Sequence, residues 1–278
     1  MSPHEILKIG IVGCGFVGSA VDYGFSSARV EKKLIDPKFD TTVDDLTEFD
    51  PEVSFVAVPT PMGSDGSIDS SIVEQVVGEL ILKTKGFIVI KSTVTPDILT
   101  SLVKSYGTKR LVYNPEFLTE KNANEDFINP KMHVFGCRPD LGKWLEKVYE
   151  EFSLCRPCPV FHVTIEEASL IKYGINSFLA SKVLWFNQFY DVVNGHGNYH
   201  RIISAIAADP RIGNSHTVVP GFDGKRGFGG ACFPKDTKAL LHYAPEFTVL
   251  HTIIEENNKY RNQYDKDERE LEQNVNYG

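Results

Sequence analysis

A chain of 278 residues is long enough for one large α/β domain, or for one such domain with a smaller helical companion. A net charge of −8 at pH 7 argues against nucleic acid as the main partner, so an anionic ligand would have to be met by a local set of basic groups. Met1 to Lys8 has no basic segment leading into an apolar one, no apolar run is long enough to span a bilayer, and five dispersed cysteines fit a reduced cytoplasmic protein better than a disulfide scaffold.

Lys8 to Val12 is a short apolar run, and Gly13-Cys14-Gly15-Phe16-Val17-Gly18 follows it directly, leading into helical apolar spacing. The glycine pattern alone is a weak signal. Here it lies between a strand and a helix, and a second apolar run, Leu34-Ile35, ends at Asp36, which predicts a dinucleotide site. Gly13 permits the tight turn, Gly15 lets a pyrophosphate approach the N–H groups opening the helix at Phe16 and Val17, and Gly18 lets helix pack on strand. Asp36 is expected to accept from the ribose hydroxyls and to repel a 2′-phosphate, favouring NAD over NADP, with Lys38 weakening that preference. The alternative is a glycine-rich turn with no ligand.

Val53 to Val58 reads as a buried strand closed by Pro59-Thr60-Pro61. A cap at Asp69-Ser70-Ser71 precedes a helix over Ile72 to Leu82, and the strand Phe87 to Ile90 runs into Lys91-Ser92-Thr93-Val94 and a helix opened by Pro96. Pro59, Thr60 and Thr93 therefore fall on the same sheet edge as the glycine loop, where ligands bind in this architecture. Leu111 to Tyr113 is a strand, and Asn114 to Glu120 is expected to begin a helix with Glu116 and Glu120 on one face. Such a pair resists joint ionisation unless a cation or substrate sits between its members; the alternative is a solvated acidic helix start. Strands over Met132 to Gly136 and Val160 to Val163 flank a helix over Leu141 to Phe152, completing the pattern of a parallel, doubly wound sheet.

From Thr164 the pattern changes. Thr164-Ile165-Glu166-Glu167 can form a capping box, and Ala168, Ile171, Ile175, Leu179, Val183, Phe186 and Val193 mark one long helix ending near Gly195, a natural spine between domains or subunits. Lys172 and Asn176 lie one turn apart beside that stripe. No metal site is predicted: His196 and His200 are broken up by Gly195 and Gly197, and Cys155-Cys158 lacks the second pair that structural zinc needs. A helix over Tyr199 to Ala208 ends at Asp209-Pro210-Arg211-Ile212-Gly213, and a long loop leads to Gly227-Phe228-Gly229-Gly230-Ala231-Cys232-Phe233-Pro234-Lys235-Asp236. Its glycines allow close backbone approach, while Lys235 and a helix start at Asp236 would favour a Cys232 thiolate, making Cys232 a candidate nucleophile rather than a buried core thiol. Helices follow near Thr237 to Tyr243 and Thr248 to Asn262, and the polar tail from Gln263 is expected to be frayed. The expected domains are a Rossmann-like unit over 1–162 and a helical one over 163–278.

The order of these motifs resembles the UDP-glucose 6-dehydrogenase family, which includes UDP-N-acetylmannosamine and GDP-mannose dehydrogenases, over residues 8 to about 260. Gly-Gly-x-Cys-Phe-Pro-Lys-Asp at 229–236 is its most diagnostic piece. The resemblance implies oxidation of a sugar-nucleotide C6 alcohol to the carboxylate with two NAD⁺, by way of a thioester on Cys232. Lys172 and Asn176 would be the oxyanion donors, while Asp236, Thr93 and Glu120 would handle water and protons. Glu116, Phe117, Leu118, Phe228 and Gly229 would lie on the substrate side. Arg211 would reach into the site of a second subunit, which implies a homodimer built on the long helix. Three departures stand out: a short stretch from Asp36 to Pro51 that could remove a helix, an enlarged loop at Phe222 to Arg226 whose Lys225 and Arg226 could meet phosphates, and a chain that ends before the family's C-terminal nucleotide-gripping domain. A non-catalytic nucleotide-binding scaffold and a one-step β-hydroxyacid dehydrogenase are the alternatives.

Overall fold

Continuous apolar runs, rather than alternating ones, suit strands covered on both faces by helices. The computed structural model, which describes residues 6–278 apart from Thr108 and Glu120, has seven strands, the second of them broken up by charge at Glu31, Lys32 and Lys33, in one sheet. They are β1 (Leu7–Val12), β2 (Val30–Ile35), β3 (Val53–Val56), β4 (Phe87–Ile90), β5 (Leu111–Tyr113), β6 (His133–Gly136) and β7 (Val160–Val163), in the order β2-β1-β3-β4-β5-β6-β7. With β1 between β2 and β3, the chain reverses its direction of winding there, and the crevice beyond the carboxyl ends of β1 and β3 is the switch point of the sheet.

The sheet is not wholly parallel as expected. β6 meets β5 antiparallel through the single pair Tyr113↔Gly136, while β6 and β7 run parallel to each other. An apolar run of four residues after a helix-containing connection reads the same in either direction, so the sequence leaves this open.

Helices α1 (Phe16–Gly24), α2 (Asp45–Phe49), α3 (Ser71–Lys83), α4 (Pro96–Tyr106), α5 (Ala123–Ile128) and α6 (Pro139–Phe152) accompany the sheet. Ile9, Ile11, Val53 and Phe55 turn one way, against Val21 of α1, Phe25 at its C-cap, Phe127 of α5 and Tyr149 of α6. Val12, Val56 and Ile90 turn the other way, against Val77, Leu80 and Leu99 of α3 and α4. The two short helices α2 and α5 carry too few apolar residues to show a period. α2 corrects the expectation that the Asp36–Pro51 stretch has lost its helix.

The rest of the chain is helical: α7 (Ile165–Val193), α8 (Tyr199–Ala207), α9 (Phe233–Tyr243), α10 (Thr248–Arg261) and α11 (Glu268–Glu272). The capping box at the start of α7 forms reciprocally, Thr164 N–H donating to Glu167 Oε2 at 2.7 Å and Glu167 N–H to Thr164 Oγ1 at 3.2 Å. Two compact units result, one with residues up to Thr60 and Asp69–Lys172, the other with Pro61–Ile68 and Tyr173–Gly278, so the division falls within α7. Among the described residues no helix is long and apolar enough to cross a membrane.

Three further expectations are corrected. Residues 114–119 form no helix, because Glu116 is held by a partner distant in sequence. α9 begins at Phe233, four residues earlier than expected; Pro234 suits its first turn, and Asp236 N–H donates to the Cys232 carbonyl at 2.8 Å. The polar tail is packed: α11 has its own capping box at Asp267, and Glu270, Val275 and Tyr277 are buried.

Candidate active site

In the first unit the three glycines of the loop after β1 take separate roles. Gly13 has φ +86°, and a Cβ there would lie 2.6 Å from the Ala57 carbonyl oxygen. A Cβ on Gly18 would stand 1.8 Å from the Gly13 carbonyl oxygen, so α1 can pack this closely only without a side chain. At Gly15, which is exposed, no described atom lies within 4 Å of a Cβ, and among the described residues no side chain caps α1. An open helix N-terminus of this kind suits a pyrophosphate. Half-buried Phe16 and Val17 begin the helix behind it. Asp36, ending β2, accepts from Cys14 N–H at 2.7 Å and from Lys38 N–H at 3.0 Å. Burial, together with the Asp36 carboxylate, pushes the Cys14 thiol up, so this cysteine is a packing residue. These residues fit a dinucleotide whose ribose meets Asp36.

Exposed Pro59, buried Thr60 and half-buried Thr93 follow β3 and β4, and Ser92 Oγ ties the two loops together by donating to the Val58 carbonyl at 2.7 Å. Lys91, next to it, was not singled out by sequence. Its buried ammonium donates to the carbonyl and side-chain oxygens of Asn114 at 3.1 and 3.0 Å, and burial pushes it down to about 8 against the pull of Glu116. Asn114 also accepts from Tyr149 Oη at 2.8 Å and donates to the Val134 carbonyl at 3.0 Å. The loop it anchors presents Glu116, whose carboxylate accepts from Lys172 Nζ at 3.1 Å and from Leu118 N–H at 2.7 Å; Lys172 also donates to the Glu116 carbonyl at 2.7 Å. The ammonium stands 5.6 Å from the centre of the half-buried Phe117 ring, and Leu118 packs against the core. Glu120 lies outside the described residues.

In the second unit Asn176, one turn along α7 from Lys172, donates through Nδ2 to Asp236 Oδ2 at 2.7 Å, and Lys235 Nζ donates to Asp236 Oδ1 at 2.7 Å. All three are buried. Cys232 is half-buried at the N-cap of α9, where the helix macrodipole favours negative charge. Lys235 thus spends its charge on Asp236. Phe228 is buried against Ala180 and Leu184, so its side chain is core, while Gly229 and Gly230 pass close to buried charged groups. Arg226 is committed to Asp191 and Asn187, and Lys225 to the Asp265 carbonyl, so neither stands ready for a phosphate. Arg211 is exposed and forks onto Asp209.

Residues 27–153 match the NAD binding domain of the UDP-glucose/GDP-mannose dehydrogenase family, and residues 166–263 match its central domain. The chain belongs to that family. Relatives of this chain include the UDP-glucose 6-dehydrogenase TuaD of Bacillus subtilis, 32% identical over 84% of this chain and 52% of its own length. The GDP-mannose 6-dehydrogenase of Pseudomonas aeruginosa is 30% identical over 74% and 49%. This chain therefore spans about half the length of either relative. A UDP-glucose dehydrogenase structure from Pyrobaculum islandicum superposes with a TM-score of 0.77 at 25% identity, covering 93% of this chain and 69% of that one. The 3-hydroxyisobutyrate dehydrogenase of Mycobacterium tuberculosis shares the fold, with a TM-score of 0.70 at 15% identity over 94% and 96%. The family profile begins after the glycine loop, so the nucleotide site there rests on the geometry of Gly13, Gly15, Gly18 and Asp36. Sequence reasoning missed Lys91 and Asn114 as an anchor, whose partners are distant, and Arg261 with Glu270, nine residues apart but marked by no local period.

Proposed function

We propose that this family member oxidises the C6 alcohol of a sugar nucleotide, UDP-glucose to UDP-glucuronate in the first instance, with two NAD⁺ and one water. One observation carries the reading. Asn176 meets Asp236 at 2.7 Å in the second unit, and Cys232 is the N-cap of α9, the helix that carries Asp236 in its first turn. A thiol at a helix N-terminus, with a buried acid held by an amide in the first turn of that helix, is a set suited to covalent acyl chemistry.

When bound, NAD⁺ supplies the hydride acceptor for each of two oxidations. The first converts the alcohol to the aldehyde. The sulfur of Cys232 then adds to C6, giving a thiohemiacetal whose oxyanion Lys172 and Asn176 meet as donors. Loss of the second hydride leaves a thioester, and water activated at Asp236, with Thr93 and Glu120 as positioning groups, releases the carboxylate and restores the thiol. Glu116, Phe117, Leu118 and Gly229 take the substrate side, and Phe228 shapes it by packing the loop against Ala180 and Leu184. Gly13 to Gly18, Asp36, Pro59, Thr60 and Thr93 take the NAD side. On this reading residues 1–162 serve the cofactor, and residues 163–278 serve the thiol chemistry and the subunit contact.

The partner in that contact is a second copy. Leu170, Phe178, Trp185 and Val192 of α7 are 46, 68, 53 and 65% exposed and recur every seven or eight residues, forming an apolar stripe that suits another helix. Arg211 would then complete the neighbouring site. We place the protein in the cytoplasm, where its five cysteines would stay reduced.

Purified protein mixed with NAD⁺ and a limiting sugar nucleotide should release two NADH per sugar. A ratio of one would indicate single-step alcohol oxidation. Silence with UDP-glucose, UDP-N-acetylmannosamine and GDP-mannose from a folded protein that binds NAD⁺ would leave a nucleotide-binding scaffold instead.

A further inference from the structure

The carboxylate of Glu270 has 0% exposure, and its donors come from three separate stretches of the second unit. Oε1 accepts from Gly230 N–H at 3.0 Å, from Arg261 Nη2 at 2.8 Å and from Tyr277 Oη at 2.5 Å, while Oε2 accepts from Asp267 N–H at 2.9 Å. Arg261, 1% exposed, is shared with Asp223 at 2.7 Å. Burial works to raise the Glu270 carboxyl, but Tyr277, the Asp267 and Gly230 N–H groups and the Arg261 charge outweigh it and hold it below its usual range.

Gly230 is two residues before Cys232, and its neighbours are held in the same way. Asn187 Oδ1 accepts from Gly227 N–H at 3.0 Å, and Asn257 brackets Phe228, accepting from its N–H at 2.7 Å and donating to its carbonyl at 2.9 Å. The chain fits this cradle only as glycine. A Cβ on Gly229 would stand 2.2 Å from Arg261 Nη2 and 2.7 Å from Glu270 Oε1, and Gly230 has φ +78°.

We propose that the segment Asp267–Tyr277 is a clamp on the loop carrying the nucleophile, with Glu270 as a positioning residue for Cys232. Among the described residues Asn187, Asn257 and Glu270 take N–H groups of the loop, and Glu270 brings a full charge; a charge-assisted bond to a backbone N–H is stronger and more directional than a neutral one. A buried carboxylate shared by an arginine, a tyrosine and a backbone N–H has one well-satisfied arrangement, so it selects one path for the loop. The clamp rests on Cys232 being the nucleophile, and its test is chosen to stand apart from turnover.

Full-length Glu270→Gln and Tyr277→Phe are compared with the parent by iodoacetamide labelling of Cys232 across pH 6–9, read by peptide mass spectrometry with Cys158 as internal reference. Steady-state kinetics are measured in parallel. In Glu270→Gln, labelling of Cys232 changes about tenfold with a displaced pH profile, and kcat falls roughly 10- to 100-fold while KM for NAD⁺ stays within about twofold. Tyr277→Phe, which keeps the ion pair, shows a smaller change in the same direction. If no sugar nucleotide is turned over by the parent, labelling alone decides the clamp. Folded variants whose Cys232 labelling, pH profile and kcat all stay within about twofold of the parent overturn it. Unfolding of Tyr277→Phe as well would assign the segment to stability alone, and also overturns it.

Discussion

A methyl group separates the roles of Gly15 and Gly18. At Gly18 it would collide with a backbone carbonyl that cannot yield, whereas at Gly15 it would enter open space in front of α1. Gly18→Ala should therefore cost on the order of 3 kcal/mol or more in urea denaturation. Gly15→Ala should leave the melting temperature unchanged and weaken NAD⁺ binding roughly tenfold by calorimetry, because the added carbon stands where the pyrophosphate approaches. Histidine 133 gives a prediction of another kind. Burial, and then the Lys91 ammonium, push His133 down from 6.5 to about 4. The unfolded chain binds this proton near pH 6.5 and the folded chain near 4, so the group's contribution is intact above 6.5 and is lost as pH falls toward 4. At pH 4.5 the loss is about 2–3 kcal/mol. His133→Phe keeps the stacking on Phe135 and the tilted contact with Tyr149, and should lose about 2 kcal/mol less than the parent between pH 7 and 4.5.

Among the elements, α7 was the most legible from sequence. Its capping box and apolar spacing are local features, and both ends came out within two residues of expectation because nothing distant competes with them. Its exposed face is where the proposed dimer can be tested. Phe178→Asp with Trp185→Asp should turn a dimer into a monomer in light scattering at micromolar concentration while leaving helix content intact, since both side chains face away from the core. A dimer that persists through both changes would place the contact elsewhere. The tail after α10 is the opposite case. Its composition reads as disordered, yet Glu270 and Tyr277 are buried, because the Glu270 carboxylate is satisfied by Arg261 together with the N–H of Gly230, 40 residues away in sequence. The expected helix start after Asn114 failed for the same reason in the first unit, where Lys172 offers Glu116 a better partner than a helix start does.

On the scale of the molecule, the dinucleotide loop and the thiol belong to different compact units. Cys232→Ser should therefore bind NAD⁺ within about twofold of the parent by calorimetry, while NADH formation falls on the order of 10³-fold or more. A serine variant that still releases two NADH per sugar would remove the thioester from the mechanism. The sequence by itself determined the alternation of strands and helices, the glycine loop with its Asp36, the long helix and the family, since these depend on spacing within a few dozen residues. Tertiary structure alone decided the antiparallel meeting of β5 and β6, the pairings Lys172–Glu116 and Asn176–Asp236, and the anchoring of the Cys232 loop by Glu270. Each of these depends on which buried polar groups find one another across tens of residues, and burial makes an unpaired group costly enough to override local preference.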